Sequence, residues 1–157
     1  MSPSDFPHFP SESSFSEDAS LIQFFSEDID FELPDSGATN DWLLKVIANE
    51  GKRLLGLSFI FCSDEYLYRL NVEYLQHDTY TDVITFPYAE GEEIEGDIFI
   101  SVERIRENSL TFQSTFEREL HRVMVHGVLH LCGYGDKKEE DRFLMREKEN
   151  EYIAWYE

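Results

Sequence analysis

Two histidines and one aspartate lie close together in the stretch HGVLHLCGYGD, at His126, His130 and Asp136. Residues at positions i and i+4 of a helix share one face, so both imidazoles can point to the same side. Gly133 follows, and a glycine commonly ends a helix in the left-handed conformation, which lets the chain turn back toward the imidazoles. Two neutral nitrogens and one carboxylate suit a zinc ion that keeps a fourth position for water. We therefore predict a metal site with His126, His130 and Asp136 as ligands.

A metal ion in such a site activates water for hydrolysis, so His126 and His130 are also the predicted catalytic residues. The skeleton H-x-x-x-H-x-x-G-x-x-D resembles the metzincin pattern H-E-x-x-H-x-x-G-x-x-H, with Asp136 as the last ligand. Gly127 stands where metalloproteases carry the glutamate that serves as general base. The pattern therefore indicates a metal-dependent hydrolase and argues against a protease.

The same stretch resembles the signature H-G-x-L-H-L-x-G-Y-D-H of the YbeY family, bacterial endoribonucleases of rRNA maturation, with Asp136 in place of the last histidine. Three more blocks of the family follow the expected order: LN at residues 70–71, TDVITFP at residues 81–87 and GDIFIS at residues 96–101. The resemblance extends roughly over residues 40–151. Several matching blocks in order make it more specific than a single short motif.

The resemblance implies a zinc-dependent endoribonuclease that binds one Zn²⁺ per chain and prefers single-stranded RNA. It implies a role in 16S rRNA 3′-end maturation and ribosome quality control. The implied partners are rRNA, the ribosome or its small subunit, and assembly factors. Family members typically carry an arginine where this chain has Leu75. The alternative is therefore a non-catalytic ribosome-assembly factor with a structural metal, which Leu75 and the acidic composition favour.

Three side chains are candidates for contacts with the substrate. By the resemblance, the polar loop of residues 76–82 lies beside the metal cleft, where His77 can contact phosphate or carry a proton, unless it is simply solvated. Lys137 can replace the missing arginine or belong to a solvated helix start. Arg122, one helical turn before the first histidine of the motif, can reach the cleft or pair with Glu119.

Net charge limits how RNA can bind. The chain of 157 residues has a formal charge of −20, and residues 1–36 contain nine acidic residues without any Lys or Arg. Phosphate contacts normally use Lys and Arg, so RNA must bind through a local basic patch and the metal.

Length and composition predict one domain with a packed core, because 41% of the 157 residues are hydrophobic. Cys62 and Cys132 form no disulfide framework, and we predict reduced, packed thiols in a cytosolic protein. No apolar run is long enough to cross a membrane, and residues 1–5 lack the features of a signal peptide. We expect a cytoplasmic protein without a membrane partner.

Periodicity and helix-capping signals predict an α/β or α+β domain with a small mixed sheet packed against helices, and the metal site on a central helix. Residues 1–18 are predicted to be a flexible acidic tail, and residues 19–157 the metal-dependent hydrolase domain. The strands are predicted at residues 21–25, 29–33, 54–62, 83–86 and 97–101. The nearly continuous apolar run of residues 54–62 predicts a central strand, and the last two strands are predicted to form a hairpin. The helices are predicted at residues 42–47 after a cap at Asn40 or Asp41, from residue 63, at residues 102–108, from a capping box at residues 114–117, and at residues 139–155. The last helix is predicted to be amphipathic, and its apolar side is predicted to contain Phe143, Leu144, Tyr152 and Trp155.

Overall fold

The computed structural model describes residues 20–156, which fold around one mixed sheet with the strand order β1-β2-β4-β3. The strands are β1 (Ile22–Ser26), β2 (Arg53–Cys62), β3 (Val83–Pro87) and β4 (Glu93–Ser101). Strand β2 pairs in parallel with β1 and β4, whereas β3 and β4 form the predicted antiparallel hairpin. The prediction that residues 54–62 form a central strand is confirmed.

The described residues also form five helices, which are α1 (Ser36–Asn49), α2 (Asp64–Leu75), α3 (Val102–Thr111), α4 (Phe116–Leu131) and α5 (Glu139–Tyr156). Helix α2 packs on one face of the sheet, while α1, α4 and α5 pack on the other. The predicted single α+β domain with a mixed sheet is therefore confirmed, and the metal motif lies on α4 between the sheet and α5. The predicted tail, residues 1–18, lies outside the described residues.

The side chains of the central strands point alternately to the two faces of the sheet, and this explains why helices pack on both faces. In β2, Phe59 and Phe61 point into the larger core with α1, α4 and α5, whereas Ile60 and Cys62 point toward α2. In β4, Ile98 faces the larger core. Successive side chains of a strand point to opposite faces, and a strand buried on both faces is apolar throughout.

One predicted strand is wrong. Residues 29–33 are irregular, because the chain leaves the sheet after β1, where the Asp28 carboxylate accepts hydrogen bonds from the backbone N–H of Ser63 (2.8 Å) and from its hydroxyl (2.5 Å). The alternating apolar residues still reach the core, since Phe31 packs on Phe61 and Phe116 with ring centroids 5.0 and 6.1 Å apart. Their period of two therefore reflects burial on one side without a strand partner.

Two helix starts also differ from the prediction. Helix α1 begins at Ser36, earlier than predicted, because Asp35 in the left-handed region (φ 50°) accepts a hydrogen bond from the Ala38 N–H at 3.3 Å. Helix α4 is capped by Thr115, which accepts from the Arg118 N–H at 3.0 Å, and not by Ser114. Among the described residues, no helix is both long enough and apolar enough to cross a membrane.

Candidate metal centre

Helix α4 carries the two histidines on the face that is turned away from the sheet. Its opposite face is buried, and Gly127 lies directly over β4, where an added Cβ would be 2.9 Å from Ile98 Cγ2 and 3.0 Å from Ile98 Cδ1. The position that holds a glutamate in metzincins therefore has no room for a side chain here. The close packing of α4 on the sheet is thus compatible with glycine at this position and disfavours the glutamate of the metalloproteases.

The three predicted ligands meet at one point. His126 Nε2 is 3.5 Å and His130 Nε2 is 3.1 Å from the same oxygen, Asp136 Oδ2. One potential ligand atom from each residue lies within 4.8 Å of the others, so the set can hold a metal ion. Gly133, with φ 108°, follows α4 and turns the chain so that Asp136 faces the imidazoles.

Both imidazoles are oriented through their other nitrogen. His126 Nδ1 is 2.7 Å from Glu149 Oε2 on α5, and His130 Nδ1 is 2.9 Å from the backbone oxygen of Tyr134. An imidazole that donates its Nδ1–H to an oxygen presents the Nε2 lone pair to a metal, and such partners fix the tautomer and the ring direction. The donor chemistry of these residues therefore fits a metal ion.

Charge around His126 also favours a cation. Burial alone would lower the pKa of His126, but the hydrogen bond to Glu149 and the negative charges of Glu149, Asp82 and Asp136 raise it. Burial alone would raise the pKa of Glu149, but its hydrogen bonds with His126 and Arg122 outweigh burial and lower it. Glu149 is thus a carboxylate at neutral pH, and the site has an excess of negative charge that a metal ion would neutralise.

The Tyr134 carbonyl is held in place by a second buried carboxylate. The Tyr134 hydroxyl donates to Glu50 at 2.7 Å, and Glu50 also accepts from the Tyr152 hydroxyl and pairs with Lys148 at 3.3 Å. Burial would raise the pKa of Glu50, but the two tyrosine hydroxyls and Lys148 lower it below 4.5. Glu50 therefore links the turn after α4 to α1 and α5.

A cleft of about 360 Å³ opens at the metal cluster, and we call it the His77 cleft. The loop after α2 forms one wall, with Leu75 and His77 among the lining residues. Asn71, which is 3% exposed, fixes this loop because its side-chain amide donates to the Thr79 carbonyl at 2.8 Å and its own carbonyl accepts from the His77 N–H at 3.0 Å. The loop therefore borders the cleft as the family resemblance implied.

Asp82 is the second carboxylate in the lining of the His77 cleft, beside Asp136. Its backbone oxygen accepts from the Ser101 N–H at 3.0 Å, and its side chain accepts from Asn108 at 3.5 Å. Burial raises the pKa of Asp82, although the nearby His126 partly offsets this. A half-buried carboxyl group with a raised pKa at the edge of a reactive site can accept and return a proton.

The predicted substrate contacts occupy three different environments. His77 lines the cleft together with the metal cluster. Arg122 is engaged by Glu149, with Nη1 2.9 Å from Oε1, and not by Glu119 as one interpretation of the sequence had it. Lys137 is exposed and is not among the described residues that line the cleft. Contact of these three side chains with RNA therefore stays a prediction.

The sequence analysis missed two residues of the site. One is Asp82, the last residue of the polar loop 76–82, and the other is Glu149. It lies on the apolar side of α5 with Met145, Tyr152 and Ile153, all buried, whereas Phe143 and Trp155, predicted for that side, are 67% and 45% exposed. A single acid within a buried helical stripe needs a partner. If the buried side of α5 had been predicted correctly, this one acidic residue among apolar residues could have identified Glu149.

The fold and the site thus define an α+β domain with a His-His-Asp cluster at the base of an open cleft. The model of the family described as endoribonuclease YbeY matches residues 22–157, and the chain belongs to this family. Endoribonuclease YbeY of Flavobacterium johnsoniae is 52% identical over 132 residues, covering 84% of this chain and 95% of the relative. That of Christiangramia forsetii is 50% identical over 135 residues, covering 86% and 94%.

A solved structure agrees with this assignment. The solution structure of TM1509 from Thermotoga maritima has a TM-score of 0.61 and 29% sequence identity, and the match covers 86% of this chain and 88% of that one. The predicted family is confirmed, and with it the class of enzyme, since endoribonucleases are hydrolases that act on RNA.

Proposed function

We propose that this protein is a zinc-dependent endoribonuclease that prefers single-stranded RNA and acts in 16S rRNA 3′-end maturation and ribosome quality control. The observation that carries the proposal is the convergence of His126 Nε2, His130 Nε2 and Asp136 Oδ2 at one point, with both Nδ1 atoms engaged elsewhere. Two imidazoles and one carboxylate are typical ligands of catalytic zinc. The expected partners are rRNA, the ribosome or its small subunit, and assembly factors.

His126, His130 and Asp136 would hold one Zn²⁺, which would activate water and offset charge on the phosphodiester. Glu149 and the Tyr134 carbonyl keep the two imidazoles in the tautomer that binds a cation. Asp82, in the wall of the cleft, can take up a proton at its carboxylate and return it to the leaving oxygen. The open cleft can admit a single strand of RNA. Because position 127 is a glycine, the site lacks the glutamate that serves metalloproteases as general base.

The test is cleavage of an end-labelled single-stranded RNA by the purified protein with bound metal measured. We expect cleavage that a chelator abolishes and that added zinc restores, and no cleavage by His130→Ala. His121→Ala is a matched control on the same helix, because His121 is not among the potential ligands. A metal-loaded protein that leaves the RNA intact would contradict the proposal.

A second function is favoured by one observation. Leu75, at the position of the family's arginine, lines the His77 cleft, and among the described residues in that lining there is neither Arg nor Lys. A non-catalytic ribosome-assembly factor with a structural metal would need no phosphate contact there. Ribosome association that persists in His130→Ala, together with the absence of cleavage by metal-loaded wild type, would favour this alternative.

A further inference from the structure

A groove extends from the metal cluster away from the His77 loop. It consists of two hollows. The first lies next to the His77 cleft and shares the lining residues Asp82, His126 and Asp136 with it. The second is larger, about 640 Å³, and shares Phe112 and Arg146 with the first. We call these two connected hollows the arginine groove. The groove is lined by the turn between α3 and α4 and by facing side chains of α4 and α5.

Three of the chain's 13 basic residues line this groove. Arg118 and Arg122 precede His126 by eight and four residues on α4, so they share a face with the metal ligands. Arg146 projects from α5. A chain with a formal charge of −20 thus concentrates cations on one side of its predicted reactive centre.

Four acidic residues line the arginine groove. Asp82 and Asp136 lie at its metal end, and the Asp136 side chain is 41% exposed. The other two acids lie below the surface of the groove. Glu119 and Glu149 are 6% and 5% exposed. The side chain of Arg146 is 61% exposed, with Nη1 3.7 Å from Glu149 Oε1, and Arg118 is half-buried. In the larger hollow, a ligand that enters from solvent therefore meets guanidinium groups first, and a polyanion is the ligand that such groups attract.

Phe112 adds an aromatic surface to the groove. Phe112 is 65% exposed and lines the larger hollow, so its ring is accessible to a ligand there. Its backbone is fixed, because the Phe112 N–H donates to the Asn108 carbonyl at 2.9 Å at the end of α3. Proteins bind single-stranded nucleic acid by combining a cationic groove with aromatic side chains on which bases stack.

We propose that the arginine groove binds the single-stranded RNA that flanks the cleavage point, with Arg118 and Arg146 on phosphates and Phe112 stacked on a base. The groove contains the arginines that the His77 cleft lacks. RNA bound at the metal centre would therefore extend along the arginine groove. This inference rests on the proposed function, because it assumes that RNA reaches His126 and His130.

The test measures binding of a fluorescent, 2′-O-methylated single-stranded RNA to the metal-loaded protein by anisotropy at several salt concentrations, with a gel to show that the RNA stays intact. Arg118→Gln and Arg146→Gln should each weaken binding about 3- to 10-fold. Each should also reduce the slope of log K against log salt by about 0.7, the value for one lost phosphate contact on a single strand. Arg118→Lys, which keeps the charge, should retain most of the slope.

Phe112→Ala should weaken binding about 5- to 100-fold without changing the salt slope, because stacking releases no counterions. Arg69→Gln is the matched control, since Arg69 is 73% exposed on α2, pairs with Glu65 at 3.6 Å and lines neither cleft nor groove. It should keep both the affinity and the slope.

Wild-type affinity and slope in both glutamine variants, in a protein that cleaves RNA, would overturn the groove and leave the proposed function intact. Binding that depends on Arg118 and Arg146 without any chelator-sensitive cleavage would support the groove and count against the nuclease. A wild-type protein that binds no RNA would overturn both.

Discussion

Replacing Gly127 with alanine would test how closely the metal-binding helix must approach the sheet. The new Cβ would lie 2.9 Å from Ile98 Cγ2, and Ile98 is fully buried in β4, so it cannot swing aside. Overpacking of this kind costs about 1–3 kcal/mol. Alanine in a helix interior is favoured over glycine by about 1 kcal/mol. We expect Gly127→Ala to lower the free energy of unfolding by about 1 kcal/mol as the balance of these two effects.

The assay is urea unfolding followed by circular dichroism, in chelator so that metal binding does not contribute to stability. Gly37→Ala is the control, because Gly37 is an exposed glycine in the first turn of α1 with nothing within 4 Å of an added Cβ. It should raise the free energy of unfolding by up to about 1 kcal/mol.

A double-mutant cycle would measure the energetic coupling between positions 127 and 98. Ile98→Ala alone should cost about 2–5 kcal/mol by creating a cavity. In the double variant the new methyl group at position 127 enters that space, so the double variant should be about 1 kcal/mol more stable than the sum of the single effects. Strict additivity, or a Gly127→Ala protein stabilised as much as Gly37→Ala, would refute the close contact between α4 and β4.

Three further predictions concern carboxylates. Glu149→Gln should weaken zinc binding about 10- to 100-fold through loss of the charged partner of His126, measured by competition with a chromogenic chelator, and unchanged affinity would contradict the positioning role. Glu50→Gln should cost about 1–3 kcal/mol of stability at pH 7. Because the folded state lowers the pKa of Glu50, this difference between wild type and variant should shrink as pH falls below 4.5, and a difference that grows there would have the wrong sign. Asp82→Asn should lower kcat about 100-fold or more with little change in metal content if Asp82 moves a proton, whereas a purely structural role would lower stability and leave kcat unaltered.

Local signals predicted most of the fold. The apolar run of β2 and the hairpin of β3 and β4 follow from strand patterns that need no knowledge of distant residues. The Ser63 cap of α2 also follows from short-range chemistry, because its hydroxyl accepts from the Tyr66 N–H at 3.0 Å, three residues away. The metal cluster was predictable for the same reason, since its three residues span only eleven positions.

The sequence predictions were wrong where contacts between residues distant in sequence determine the local structure. Residues 29–33 alternate like a strand, but β1 already occupies the edge of the sheet beside β2, and Phe31 reaches the core through Phe61 instead. The buried face of α5 was misplaced because large exposed side chains such as Phe143 outweighed Glu149 in the pattern. Glu149 lies 23 residues after His126 in sequence, and only the packing of α5 on α4 brings the two side chains together.

The dependence of both imidazoles on α5 has a consequence for protein synthesis. All three predicted ligands precede α5 in the chain, whereas Glu149 lies on it, and Glu50 holds Tyr134 partly through Tyr152 and Lys148 of the same helix. A nascent chain that has exposed the ligands but not α5 therefore carries histidines with no fixed orientation. Competence to cut RNA would begin only when α5 has docked on α4 and has brought Glu149 to His126.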